Sequence, residues 1–176
     1  LNAGVPVHVP ALTLNRLCRS GIESIITGAR MMMLGEASIT LAGGAESMSN
    51  VPYHDHGVRW GRKMGANTQE DGLTLGLSDA IGGYHMGVTA ENVAERHQVS
   101  RAEMDALAVV SHQRGARAIA EGRFKGQILP VEIKSRKGTV VFDTDEHVKA
   151  DTNLETLAAM KPAFKKDGTV TAGNAS

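Results

Sequence analysis

The sequence has one cysteine, few aromatic side chains and no long apolar run, and each shortage excludes a class of protein. A single cysteine among 176 residues rules out an internal disulfide. This favours a reducing compartment: the cytoplasm or, in a eukaryote, the mitochondrial matrix or peroxisome. Aromatic residues make up 3%, too few for a platform that stacks nucleic-acid bases. No apolar run approaches the roughly 20 residues of a membrane span, so we expect none.

Net charge is also absent, because nineteen basic residues balance nineteen acidic ones. Electrostatics therefore give no reason to expect nucleic acid or a membrane surface as a partner. Glycine is plentiful at 20 residues and suits tight turns between strands and helices. The chain starts without methionine and stops on small residues, so we expect both ends to be cuts through a longer chain, with ordinary frayed termini as the alternative.

The first part of the chain predicts a strand, a helix and a second strand. Leucines alternate within residues 10–17, which is typical of a strand. From Ser20 the apolar residues recur every three or four positions, which predicts a helix that ends at Gly35. Residues 37–42 predict a buried strand. Together these segments form a βαβ unit, the signature of a parallel sheet in an α/β fold.

The rest of the chain predicts loops and then a mixed α and β segment. Residues 49–84 have no long periodicity and indicate mostly loop. Four elements are predicted after them: a helix at 89–97, a helix from the capping box Ser100 to Glu103 that ends at Gly122, a hairpin turning at Lys137 and Gly138, and a helix from a second capping box, Thr152 to Glu155.

Cys18 is the candidate nucleophile, because it lies where the first predicted strand gives way to the helix. The small residues Ser20 and Gly21 permit a sharp turn there, as in the nucleophile elbow of hydrolases. A helix N-terminus carries partial positive charge and favours the thiolate, and Arg16 and Arg19 would add to that charge. The alternative is a small buried hydrophobic residue, which lone cysteines often are.

Seven histidines raise the question of a metal site. The densest group, His54, Asp55 and His56, lies in a predicted loop without a third and fourth ligand at suitable spacing. We therefore expect no metal.

Four blocks resemble the thiolases, enzymes that make or break a carbon–carbon bond between acyl groups carried on coenzyme A (CoA). They cover essentially the whole chain in order: VPALTLNRLC at 9–18, AGGAESMS at 42–49, YHMGVTAEN at 84–92 and KDGTVTAGNAS at 166–176. The resemblance implies a thiolase-like α/β fold with a partial βαβ core and an inserted α+β loop domain. Residues 1–48 would belong to the amino-terminal core domain with the nucleophile, and 49–176 to the CoA-binding loop domain.

The resemblance also implies a mechanism and its missing parts. Cys18 would take an acyl group from a CoA thioester, with no further cofactor. In the family a histidine that activates the cysteine, a second cysteine and an Asn–His pair lie in the carboxy-terminal half of the chain. None of those motifs is among these residues, so we expect this stretch alone to be inactive. We also expect a homodimer or homotetramer, as in other thiolases.

The residues that fall where family members contact CoA or the acyl group are each open to a structural alternative. His85 and Met86 resemble the pair that lines the pantetheine tunnel, but also suit a structural histidine and core packing. Lys149 stands where arginine is common, and is otherwise a solvated charge. The full predicted set is Leu77, His85, Met86, Lys149, Thr156, Phe164, Ala172 and Ser176.

Arg19 departs from the family, in which a small residue often follows the nucleophile. Two other functional classes stay open from the residues alone. One is a thiolase-like protein that binds acyl-CoA or lipid, or acts as a scaffold, without turnover. The other is a hydrolase with a cysteine elbow, although that class does not account for the blocks after residue 84.

Overall fold

The computed structural model describes residues 2–175 and divides the chain into two compact units, Leu1–Leu77 and Ser78–Ser176. This division reflects compactness only. The domain boundary that the sequence places near residue 49 stays a prediction.

Helix α1, Ser20–Met33, is the main element of the first unit. Its end is a Schellman motif: Glu36 N–H donates to the Met31 carbonyl at 2.9 Å, and Gly35 N–H to the Met32 carbonyl at 3.1 Å. Gly35 adopts φ +73°, which glycine accepts without steric cost. The predicted helix and its stop at Gly35 are therefore confirmed.

The predicted apolar side chains lie on α1, but few of the described residues pack against them. Ile22 is 63% exposed and Met33 86%, while Gly28 is the buried residue of the helix.

The two strands predicted on either side of α1 were wrong for this structure. Neither residues 10–17 nor residues 37–42 form a strand in the described part of the chain. A strand exists only when its backbone groups pair with a neighbouring strand. Within residues 2–175 neither segment has such a partner, and Leu12, Ile39 and Leu41 stay 66%, 86% and 98% exposed.

The segment after Gly35 nevertheless returns along α1, as the second half of a βαβ unit would. Thr40 lies so close to Gly28 that a Cβ on that glycine would be 2.8 Å from the Thr40 Oγ1. Further on, Gly44 lies beside Gly21, near the start of the helix. The prediction failed on strand pairing, while the course of the chain is the expected one.

Residues 48–77 are mostly loop, as predicted. They contain two 3₁₀ turns, Met48–Asn50 and Val58–Trp60, and a short antiparallel pair, β1 at Tyr53–His54 and β2 at Glu70–Asp71. Helix α2, Gly72–Gly76, follows directly, and the Asp71 carboxylate caps it by accepting from the Leu73 N–H.

Three helices and a hairpin build the second unit. Helix α3 is Met86–His97 and α4 is Arg101–Ala120. The predicted capping box opens α4: Ser100 N–H donates to a Glu103 carboxylate oxygen at 2.8 Å, and Glu103 N–H to the Ser100 Oγ at 3.3 Å. Gly122, at φ +69°, follows the end of α4 as expected.

The hairpin pairs β3, Val131–Ser135, with β4, Gly138–Phe142. The predicted hairpin is confirmed, and its turn residues are Arg136 and Lys137, one position earlier than predicted. Glycine at 138 has φ +122°, a conformation that side chains rarely adopt.

The last helix, α5, is Leu154–Ala158, and its cap lies one residue later than predicted. The Asn153 side chain accepts from the Thr156 N–H at 3.0 Å, and the Thr156 Oγ1 accepts from the Asn153 N–H at 3.4 Å. The capping box at Thr152 and Glu155 was therefore wrong. A carboxamide caps a helix at least as well as a threonine hydroxyl, so Asn153 takes the position.

The buried residues of the second unit gather where α3, α4, α5 and residues 169–175 meet. Leu157 is 2% exposed, Val170 3% and Thr171 0%. Glu91 and Asp105 are buried beside them, at 4% and 3%. A core with two carboxylates needs hydrogen-bond partners for both of them, and those partners come from residues 169–175 and α4.

Candidate functional site

Cys18 is exposed, in the 3₁₀ turn Leu17–Arg19 that leads into α1. The thiol therefore lies at the entrance of a helix and within reach of solvent, as a nucleophile requires. The alternative of a small residue sealed in a core does not hold for the described chain.

Side chains before and after Cys18 hold this turn in shape. Leu17 has φ +52°, an uncommon value for a residue with a branched side chain. The Asn15 Oδ1 accepts from the Leu17 N–H at 2.7 Å. Ser20 closes the turn from the other side, because its Oγ accepts from the Arg16 N–H at 2.9 Å and donates to the Leu17 carbonyl at 2.7 Å. These hydrogen bonds offset strain of about 1–2 kcal/mol at Leu17, the residue before Cys18.

Arg16 and Arg19 supply less positive charge at Cys18 than the sequence suggested. Both guanidinium groups point to Glu23 on α1, at 3.3 and 3.7 Å from its Oε2, and Arg30 approaches the same carboxylate at 3.6 Å. The carboxylate offsets part of their positive charge. The N-terminus of α1 carries no side-chain cap, so its partial positive charge remains available beside Cys18.

In the second unit the structure brings His85 and Phe164 together, and Met86 follows His85 directly in the chain. The His85 ring stacks on the Phe164 ring, with centroids 5.0 Å apart and an interplanar angle of 19°. Met86 is the first residue of α3 and is 38% exposed. Two of the predicted CoA contacts, His85 and Phe164, separated by almost 80 positions in sequence, therefore share one place in the fold.

His85 has a defined tautomer because it also caps α3. Its Nδ1 accepts from the Gly87 N–H at 3.0 Å. A nitrogen that accepts carries no proton, so the neutral ring carries its proton on Nε2. His85 can therefore donate a hydrogen bond from Nε2, for example to a carbonyl oxygen, while the cap is intact.

Gly87 is the contact that permits this arrangement. A Cβ at position 87 would collide with the Phe164 ring. We expect Gly87→Ala to push the ring off His85, to destabilise the unit by about 1–3 kcal/mol, and to weaken CoA binding. Gly126→Ala is the matched control, since a Cβ there meets nothing within 4 Å. Urea unfolding and CoA titration of both variants check this, and equal behaviour of the two would contradict it.

Two further predicted contacts already have intramolecular partners. The Thr156 hydroxyl donates to the Asn153 carbonyl at 2.9 Å, as part of the α5 cap. The Lys149 ammonium donates to the Glu146 carbonyl at 3.1 Å, and the Lys149 N–H donates to the His112 Nδ1 at 3.2 Å. Lys149 is exposed and keeps two of its three ammonium donors for a phosphate. Thr156 has only acceptor capacity left, so its structural role is the better supported.

The remaining predicted contacts are spread along the chain. Leu77 is half-buried and ends α2 in the first unit, the unit of Cys18. Ala172 is exposed in the second unit, between buried Thr171 and half-buried Gly173. Ser176 lies outside the described residues.

Glu91 on α3 is a key residue that sequence reasoning missed. One of its carboxylate oxygens accepts from the Val170 N–H at 2.8 Å, and both accept from the Thr169 N–H at 2.9 Å. Burial opposes ionisation of Glu91, but the hydrogen bonds from Thr169 and Val170, with the charge of Lys165, outweigh it and hold the Glu91 pKa below its ordinary value of 4.5. The ionised carboxylate therefore ties residues 169–170 to α3.

We expect Glu91→Gln to destabilise the protein by about 2 kcal/mol at pH 7, the usual contribution of hydrogen bonds to a charged group. Because the folded-state pKa is lowered, this stability is fully present above pH 4.5 and is lost as the pH falls through the folded-state value. The difference between wild type and variant should therefore shrink below pH 4.5. Urea unfolding across this range tests it. Glu95→Gln, at an exposed ion pair on the same helix, is the control and should change little.

The loop that contains His54, Asp55 and His56 does not bring three metal-ligating side chains together. Asn67 and Arg62 donate hydrogen bonds to Asp55 and lower its pKa to about 2, so this carboxylate secures the loop. In residues 2–175 no three His, Cys, Asp or Glu side chains converge as a metal site. No helix within the same residues is long and apolar enough to cross a bilayer.

The structure places an exposed cysteine on a strained turn at the start of a helix. Comparison with known proteins identifies the family. The model of the thiolase N-terminal domain matches residues 1–176. The beta-ketothiolase BktB of Cupriavidus necator is 49% identical over all of this chain and 45% of its own length.

Solved structures agree in fold. The acetyl-CoA acetyltransferase of Bacillus anthracis superposes with a TM-score of 0.94 at 43% identity, over 99% of this chain and 44% of that one. A human mitochondrial 3-ketoacyl-CoA thiolase in complex with CoA gives 0.92 at 44% identity, again over 99% and 44%.

The chain belongs to the thiolase family, and the predicted thiolase-like α/β fold is confirmed. It spans a little under half the length of the relatives described above.

Proposed function

We propose that this chain supplies the acyl-accepting part of an acyl-CoA C-acyltransferase that forms or cleaves 3-ketoacyl-CoA. The observation that carries the proposal is the exposed Cys18 thiol on its braced turn at the uncapped start of α1. The relatives bear the names of acyltransferases of this kind, which supports the reaction class.

In the proposed reaction the Cys18 thiolate attacks the thioester carbonyl of an acyl-CoA. The carbon–sulfur bond to CoA breaks, CoA leaves as a thiol after taking up a proton, and the acyl group stays on Cys18 as a new thioester. In synthesis the carbanion of a second acetyl-CoA then attacks the acyl group, which forms the new carbon–carbon bond and frees the Cys18 thiolate. In degradation the thiolate attacks instead the 3-keto carbonyl of a 3-ketoacyl-CoA: the C2–C3 bond breaks, acetyl-CoA leaves after its carbanion takes up a proton, and CoA then accepts the acyl group from Cys18. The activating histidine and the second cysteine are expected from the family's carboxy-terminal half.

The CoA site is proposed at the residues named from the family resemblance. His85, as an Nε2–H donor, suits a carbonyl oxygen of the pantetheine or thioester, and Met86 and Phe164 give apolar contact. The free donors of Lys149 suit a phosphate oxygen. Ala172 is a further predicted contact in the same unit, and Leu77, in the first unit, is proposed separately. A homodimer or homotetramer, with CoA thioesters as substrates and no other cofactor, follows the family pattern.

The second candidate is a thiolase-like protein that binds acyl-CoA or lipid without turnover. The pairing of Arg16 and Arg19 with Glu23 favours it slightly, because part of the charge expected to activate Cys18 is offset.

Cleavage of acetoacetyl-CoA by CoA separates the two candidates. The complete protein means here a chain that continues from these residues through the family's second half. It should release two acetyl-CoA per turnover, and residues 1–176 alone should be inactive. Binding of CoA without turnover by the complete protein would support the second candidate. Normal turnover by residues 1–176 would refute the need for residues beyond this stretch.

A further inference from the structure

Ala172 is exposed between buried Thr171 and half-buried Gly173. Val170 and Thr171, which precede it, are 3% and 0% exposed. Neither the N–H nor the C=O of Ala172 has a hydrogen-bond partner among residues 2–175. The direction in which these two groups point therefore depends on the hydrogen bonds that hold the neighbouring residues.

The side-chain carboxamide of Asn174 holds the residues that precede Ala172 in place. Its Oδ1 accepts from the Thr171 N–H at 2.8 Å, and its Nδ2 donates to the Thr169 carbonyl at 3.1 Å. The Asn174 side chain thus closes the turn around Ala172 by bonding to the backbone of Thr169 and Thr171. The second Nδ2 hydrogen donates to Asp105 on α4, at 2.9 Å from its Oδ1. A carboxylate only accepts, so Asp105 also fixes which end of the carboxamide faces α4.

Arg101 holds Asp105 in turn. Its Nε donates to the Asp105 Oδ2 at 2.7 Å, and its terminal nitrogen donates to the carbonyls of Leu157 and Met160, the latter at 3.1 Å. The network therefore joins the first turn of α4 to the end of α5 and to the Ala172 turn. A buried carboxylate contributes little net stability compared with an apolar side chain of equal size. Its distinctive effect here is to fix the orientation of Asn174.

We propose that Asp105 and Asn174 are positioning residues for CoA: they orient the main chain at Ala172 for contact with the ligand. This rests on the proposed function, in which Ala172 is a CoA contact. The effect of losing either residue should therefore fall on the KM for CoA and not on the chemical step.

The test is a charge-and-amide exchange in the complete protein. Asn174→Asp removes both Nδ2 donors and places two carboxylates together, so the KM for CoA in acetoacetyl-CoA cleavage should rise about tenfold, the equivalent of one hydrogen bond. kcat should change less than about twofold if chemistry limits it. The double variant Asp105→Asn with Asn174→Asp restores a donor facing an acceptor. The new carboxylate cannot donate to the Thr169 carbonyl, so the rescue is partial, and the KM should fall back to about threefold above wild type.

Ser100→Ala is the matched control for general destabilisation, because it removes the cap of α4 without touching the network. It should lower the melting temperature and leave the KM for CoA unchanged. The proposal is overturned if Asn174→Asp leaves the KM unchanged, if Ser100→Ala raises it equally, or if the double variant is no better than the single one. If Asn174→Asp does not fold, Asp105→Asn takes its place, because it removes the acceptor that orients the Asn174 carboxamide: a raised KM for CoA supports the proposal, and an unchanged KM refutes it.

The two proposals fail differently. A wild-type protein that neither binds CoA nor cleaves acetoacetyl-CoA overturns both. A wild-type protein that is active, with an unchanged KM in Asn174→Asp, overturns only the positioning role.

Discussion

Replacing Cys18 with alanine should lower acetoacetyl-CoA cleavage by the complete protein by a factor on the order of 10⁴ or more, as loss of a covalent nucleophile does. Within residues 1–176 no other thiol could take its place, since Cys18 is the single cysteine there. The second cysteine expected from the family's other half has a different role, as acid and base. CoA binding should stay within about twofold, and stability within about 0.5 kcal/mol, because the side chain is exposed.

Turnover, CoA titration and urea unfolding of the same variant separate the nucleophile from a binding or structural residue. A Cys18→Ala protein that keeps a tenth of its activity would show that the thiol is not the acyl carrier. A variant that loses binding and stability together would show instead that Cys18 supports the fold.

Leu157→Ala should have the largest effect on stability, about 2–4 kcal/mol, because truncating a buried leucine removes apolar contact and leaves a cavity. Leu157 is 2% exposed, and a Cβ on Gly173 would come within 2.5 Å of its Cδ2. Its side chain therefore supports the turn that carries Ala172, and CoA affinity should fall as well.

Leu154→Ala on the same helix is the matched control. Leu154 is 56% exposed, so the same truncation should cost less than about 0.5 kcal/mol. Equal losses of unfolding free energy in the two variants would contradict the assignment of the core to Leu157 and residues 169–175.

Elements stabilised by neighbouring residues could be predicted from the sequence. The capping box of Ser100 and Glu103, the stop at Gly35 and the hairpin that ends its turn before Gly138 each depend on contacts within five positions, and each is present in the structure. The cap of α5 shows how precisely such predictions locate a residue. Thr152 and Asn153 are adjacent candidates, and only the geometry selects Asn153.

Features that depend on distant residues could not be predicted. The strands expected at 10–17 and 37–42 require partner strands that the described chain does not supply. The hydrogen bonds of Glu91 to Val170 and of Asn174 to Asp105 span 79 and 69 positions. No pattern of neighbouring residues predicts a contact between two residues so far apart in sequence.

The candidate site divides in the same way. Cys18 could be singled out as a candidate from its local setting, a change of period followed by Ser20 and Gly21, but the family resemblance decided between nucleophile and buried residue, and its role stays a prediction. The CoA contacts came from the family resemblance, and they stay predictions. Their partners came from the structure: the His85 cap on Gly87, the stack on Phe164 and the engagement of Thr156 in a cap.

The central claim is that Cys18 carries the acyl group, and mass spectrometry of the complete protein after brief incubation with acetyl-CoA tests it most directly. We expect one acetyl group per chain on the peptide that contains Cys18, labile to hydroxylamine as a thioester is, and absent from the Cys18→Ala variant. An unmodified Cys18 in a protein that turns over acetoacetyl-CoA, or an acetyl group found only on another residue, would contradict the mechanism proposed for this chain.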